Sequence, residues 1–150
     1  MTTTKQRERD ELFDQFQRVE ELEEVAEQAS AQLDPTQLER LRSVARRTLA
    51  GIKPVRVSLA SELLDLDEKT IRSWTEEGVL TEADTASTRR LLDPERLHEV
   101  LHIVRELRTN GKRADLLDAV WWKLSDQAVL DREDLADSLA EMRRGDVHKA

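Results

Sequence analysis

The 150-residue sequence has no cysteine, no tyrosine, four glycines, three prolines and only five aromatic side chains, three Trp and two Phe. Each shortage excludes something. Without cysteine there is no disulfide scaffold, no thiol nucleophile and no thiolate metal site. Few glycines and prolines leave little to interrupt helices, so a mainly helical chain is expected. So few aromatics mean a core of Leu, Val, Ile and Ala. No stretch is apolar enough to approach a membrane span, and the opening MTTTKQRERDELF lacks the apolar core of a signal peptide. The expectation is a cytoplasmic protein with no membrane partner. The length suits one domain, or a small domain with helical extensions that need a partner for their apolar stripe.

Charge is abundant but unevenly placed. The formal net charge is -8, which argues against a nucleic-acid partner only if it is spread evenly. Residues 1–39 hold four basic and eleven acidic side chains, whereas 40–58 hold six basic ones (Arg40, Arg42, Arg46, Arg47, Lys53, Arg56) and no acidic one. Residues 59–81 and 114–150 are acidic, and 82–113 carry seven Lys/Arg in near balance. A phosphate backbone responds to the local stripe, so the total does not exclude DNA.

Leu12, Phe16, Val19, Leu22, Ala26, Ala29 and Leu33 recur every three or four positions, which predicts a helix over about 5–32 with a Glu-rich outer face. Asp34 caps a second helix, with Pro35 at its first position and Gln37 closing a capping box. Its stripe is Leu38, Leu41, Val44, Ala45, Leu49 and Ile52, and Gly51 and Pro54 end it. These 1–53 residues form an arm, either an intramolecular hairpin or a coiled coil joining two copies. Val55 and Val57 alternate with Arg56 as a short extended lead-in. Ser58 is the expected cap of a helix with Leu59, Ala60, Leu63 and Leu64 inward. After the turn DLD, Asp67 caps a second short helix with Ile71 and Trp74 inward, a helix-turn-helix pattern. Residues 79–92 read as a loose hairpin or a loop. A helix follows over 93–109, capped by Asp93 and ended by Asn110-Gly111. Another over about 112–127 places Leu116, Leu117, Val120, Trp121 and Leu124 on one side. A last helix begins at Asp131, stapled by Leu130 and Leu135.

SLASELLDLDEKTIRSWTEEGVL, followed by RRLLDPERLHEVLHIVRELRTNG, resembles the DNA-binding head of the MerR and phage-excisionase superfamily. The shared order is a small helix with an inward Ala and Leu, a tight turn, Thr-Ile-Arg-x-Trp, then a Gly before an apolar exit. The likeness covers roughly residues 55–125. Asp65 stands where the family's turn commonly has Gly, and the wing lacks the family's usual Gly and Tyr. The resemblance implies a winged helix-turn-helix over 54–127, flanked by the N-terminal arm and by a C-terminal helix and tail over 128–150. It implies Lys69, Thr70, Arg72 and Ser73 as groove-facing residues, Arg89 and Arg90 as wing residues, and double-stranded DNA as partner. A homodimer matching two half-sites is the corresponding expectation.

HEVLH at 98–102 matches HExxH, the helical pattern of zinc peptidases, with His98 and His102 one turn apart and Glu99 beside them. No third His appears until His148, and Arg96 puts a cation beside the pair. Both histidines fall off the Leu97–Leu101–Val104 stripe and are expected to face solvent. With no nucleophile–base pair, phosphate loop or complete metal set, neither an enzyme nor a cofactor is expected. The tail LDREDLADSLAEMRRGDVHKA faintly resembles the toxin-wrapping ends of bacterial antitoxins, which makes a toxin protein a candidate partner. The competing class is an all-helical protein–protein interaction adaptor without DNA contact, favoured by Glu68, Glu76 and Glu77.

Overall fold

The computed structural model describes residues 3–85, 88–130 and 132. The chain is mainly helical, with one two-stranded antiparallel sheet among the described residues. In order it forms α1 (Thr4–Gln28), α2 (Pro35–Ala50), β1 (Val55–Arg56), α3 (Val57–Leu64), α4 (Glu68–Glu76), β2 (Leu91–Leu92), α5 (Pro94–Thr109) and α6 over 116–130. No described helix is long and apolar enough to cross a membrane. The chain divides into two compact units, Met1–His102 and Ile103–Ala150.

In the first unit, α1 and α2 pack as a hairpin within the chain. Both begin with a reciprocal capping box, Thr3 with Gln6 and Asp34 with Gln37. In each box the capping oxygen accepts an otherwise unmatched helix N–H. The expected cap at Asp34 is therefore present, with Gln37 N–H donating to its Oδ1 at 2.8 Å. Burial is narrower than periodicity predicts. Along α1 only Leu12, Phe16, Val19 and Ala26 are buried, and along α2 only Ala45, while Val44 stays exposed. α1 also meets other parts of the unit. Phe16 stacks on the His98 ring with centroids 5.7 Å apart. Arg9 bonds Glu62 at 2.9 Å and Arg56 bonds Glu8 at 3.0 Å. Those two ion pairs are partly exposed and each contributes little, about 0–1 kcal/mol. The apolar seam does most of the docking.

His98 departs from expectation. It is buried, not solvent-facing: Nε2–H donates to Glu23 Oε1 at 2.7 Å, and Nδ1 is buried without a partner among the described residues. Phe16 and Glu23 of α1 cover this one residue, while Glu95, Glu99 and His102 beside it stay exposed. His102 is exposed as expected.

In the second unit, Ile103, Val104, Leu107, Leu116, Val120 and Leu124 are buried. Its connection follows the expected Asn110-Gly111 stop, with Gly111 at φ 87° and Lys112 N–H closing onto Leu107 O at 2.9 Å. Asp115 also takes a positive φ, 55°, so α6 begins at 116 and not at 112. It continues beyond 127 to cover 130. Trp121 is not a core residue: it is 37% exposed, and Trp122 is 71% exposed. The expected helix from Asp131 and its Leu135 staple lie outside the described residues.

Candidate nucleic-acid interface

The head is built from α3, α4 and the segment that ends in β2. α3 starts at Val57, one residue ahead of the expected Ser58 cap, with Arg56 in the cap position and no side-chain cap bond. The β1 pairing of Arg56 leads directly into the helix, so a capping side chain is not what starts it. Val57, Leu59, Ala60 and Leu64 face inward. The turn needs one left-handed residue, and Asp65 supplies it at φ 52°. Asp tolerates this region better than most residues with a Cβ. The turn is closed by Leu66 N–H donating to Ser61 O and by the Ser61 hydroxyl donating to Leu66 O.

Asp67 then caps α4, accepting Thr70 N–H at 2.7 Å. Hydrogen bonding from Thr70, by its side chain first and then by this N–H, holds the Asp67 carboxyl below the usual carboxylate range, more than the nearby Lys69 charge does. Ile71 is fully buried and Trp74 nearly so, which clamps α4 against α3. At the far end Gly78 takes φ 85°, and Val79 and Leu80 N–H both donate to Trp74 O. This is a Schellman-like stop that turns the chain into a buried Val79–Leu80 exit.

With Ile71 and Trp74 inward, the helical repeat leaves Lys69, Arg72, Ser73 and Glu76 on the outer face, all exposed. Thr70 is half-buried at the edge of that face. Arg72 enters no ion pair among the described residues. Glu68, Glu76 and Glu77 are exposed too. Their placement is uneven: Glu68 sits in the first turn, where a carboxylate suits the helix dipole, and Glu76 and Glu77 sit at the C-terminal end. The cations occupy the N-terminal half, the end that helix-turn-helix proteins direct at base edges.

The segment between α4 and α5 is a hairpin. Glu82 bridges to Leu92, Ala83 N–H donates to Leu91 O at 2.9 Å, and Asp93 N–H donates to Thr81 O at 2.8 Å. β2 in turn pairs antiparallel with β1, Val55 opposite Leu92 and Arg56 opposite Leu91. Of the two options for 79–92, hairpin and loop, the hairpin is realised. Arg89 and Arg90 are exposed on its returning side, and Arg90 pairs with Glu82 at 2.7 Å. The structure thus brings Lys69, Thr70, Arg72 and Ser73 together on one helix and places Arg89 and Arg90 on the adjoining hairpin. Arg56, counted in the basic stripe, is spent on Glu8.

Beside the hairpin lies an open groove of about 700 Å³, lined by Glu8 and Glu11 of α1 and by Lys53, Arg56 and Arg89. Charge counting along the chain could not foresee it, because it joins residues far apart in sequence. Among the described residues no group of His, Cys, Asp and Glu could hold a metal ion. In HEVLH, Glu99 is held by Arg96 at 3.1 Å and His98 by Glu23.

Residues 55–115 match the family model described as MerR HTH family regulatory protein. No curated protein and no solved structure matches the chain.

Proposed function

From the premise that the chain carries a MerR-type helix-turn-helix, the DNA-binding head of a regulator, we propose that it is a transcriptional regulator that reads duplex DNA with α4 and steadies it with the wing. In this reading α4 enters the major groove. Arg72 reaches a guanine edge bidentately, and Lys69, Thr70 and Ser73 contact neighbouring bases and phosphates. Arg89 and Arg90 touch the adjacent backbone. The observation that supports it most is Arg72: exposed at the middle of a helix clamped from behind by Ile71 and Trp74, with no carboxylate paired to it among the described residues. The Arg90–Glu82 pair is partly exposed, so its opening toward a phosphate costs little.

α4 and its C-cap carry two cations, Lys69 and Arg72, against three carboxylates, Glu68, Glu76 and the capping Glu77. One head alone then binds weakly, and a homodimer on two half-sites supplies the affinity. The deciding experiment is a gel shift across a salt series, with duplex from the gene's own upstream region. Affinity should fall steeply with salt, and sedimentation should show two chains per site. A protein that shifts no duplex at low salt would end this reading.

A second reading is favoured by one observation, the exposed Trp122 beside the half-exposed Trp121 on α6: an interaction adaptor whose helix-turn-helix serves protein contact. It is ahead if DNA fails to shift and a partner protein is retained instead. The narrower antitoxin version rests on the tail, most of which lies outside the described residues. It requires a single stoichiometric small partner that is lost when residues 128–150 are removed. Action in the cytoplasm belongs to the same proposal.

A further inference from the structure

We propose that the outward face of α2 is a second, sequence-independent surface for the phosphate backbone of duplex DNA. The inference rests on the DNA-binding reading above. α2 turns Ala45 into the hairpin, and one half of its circumference, from Arg42 on the flank through Arg46 to Arg47 and Arg40 opposite Ala45, carries four arginines, all exposed. One carboxylate, Glu39, shares that half. Arg46 clamps it at 2.6 Å, and its carboxyl is held below the usual range by that hydrogen bond and by the Arg46 and Arg42 charges. Four arginines less one glutamate leave a local charge of +3 in a chain of net charge -8.

Two further features point to phosphate. Ser43 and Ala50 lie among the arginines, so no bulky side chain keeps a nucleic-acid backbone away. Arg40, Arg47 and the following Lys53 enter no ion pair among the described residues, whereas Arg56 is withdrawn onto Glu8. Guanidinium groups on a rigid helix suit phosphate oxygens, which they can bind in a bidentate fork. Only residues 51–54 separate α2 from β1, so the cationic surface runs directly into the head.

The test measures binding of the full chain across a salt series, on duplex from its own upstream region and on the same duplex shuffled. Arg40→Ala/Arg42→Ala/Arg47→Ala should shrink the slope of log affinity against log salt by about 2.7, three contacts at about 0.9 each. The loss should be equal on both duplexes, leaving the preference between them intact. Glu39→Gln should do the reverse, tightening binding to both, a gain that misfolding cannot imitate. An unchanged slope in a folded triple variant, or no gain from Glu39→Gln, overturns the proposal while the head's binding stands. In that case α2 faces another partner, such as an acidic protein. Failure of the unaltered protein to bind either duplex overturns the underlying reading instead.

Discussion

The two helix pairs of the first unit share a local grammar and differ in what they bury. α1–α2 and α3–α4 each place an aspartate before the second helix, Asp34 and Asp67. Yet the 16-residue α2 buries only Ala45, whereas the 9-residue α4 buries Ile71 and Trp74. Capping therefore says where a helix starts and nothing about how firmly it is held. The head owes its rigidity to its own small core, which frees the outer face of α4 for contact. The hairpin is held mainly through α1, by Phe16, Val19 and the seam with His98, which leaves α2 polar around most of its circumference.

Mutations can break or sharpen this contrast. Trp74→Ala should cost about 3–5 kcal/mol by chemical denaturation and abolish DNA binding, because α4 loses its clamp. Phe16→Ala should cost about 3 kcal/mol, near the lower end of that range, and leave residual DNA binding. If Phe16→Ala proves the more damaging to the head, the division of labour is wrong. Arg72→Ala should weaken binding by about 1–3 kcal/mol and relax sequence preference. Arg90→Ala should weaken all sequences alike and lower the salt slope by about 1, as a gel shift on matched and shuffled duplexes would show. Asp34→Ala should cost about 1 kcal/mol with no effect on DNA affinity beyond that of α2.

The smallest expected effect is a pH dependence. The folded Asp67 carboxyl titrates below its unfolded value, so its contribution to stability is complete above the unfolded pKa, about 4. That contribution is lost as pH falls from there through the lower folded value. Comparing Asp67→Asn with the unaltered protein in acid unfolding should show the two curves converging toward low pH. Curves that stay parallel would remove the cap from the account.

Much of the head was legible in advance because its signals are local. Asp67 before Lys69–Thr70, Ile71 and Trp74 three apart, and Gly78 before Val79–Leu80 all act within about two turns, and all appear as expected. The errors fall where distant chain segments meet. Ser58 was displaced as the start of α3 because the pairing of Arg56 in β1 with Leu91 in β2, 35 positions away (91 − 56), already sets the backbone at Arg56. Trp121 and Leu116 both satisfy a helical stripe, yet only Leu116 is buried, since a stripe wider than its neighbour's footprint leaves its edge in water. Of the candidate site, grouping on α4 followed from periodicity, while the Arg90–Glu82 pair needed the hairpin's register.

The sequence by itself determined the helix starts at Pro35, Glu68 and Pro94, the inward residues of the head, and the four arginines on one side of α2. All of these depend on side chains a few residues apart, where helical geometry leaves little choice. Tertiary structure alone decided that α1 covers His98 of α5, burying it against Glu23 across 75 positions of sequence. It alone decided that Arg56 is taken up by Glu8, whereas the Arg46–Glu39 pair lies within α2; Arg40, Arg47 and Arg72 enter no ion pair among the described residues. A charge count weighs every arginine equally; which of them still faces a phosphate depends on which carboxylates the fold brings within reach.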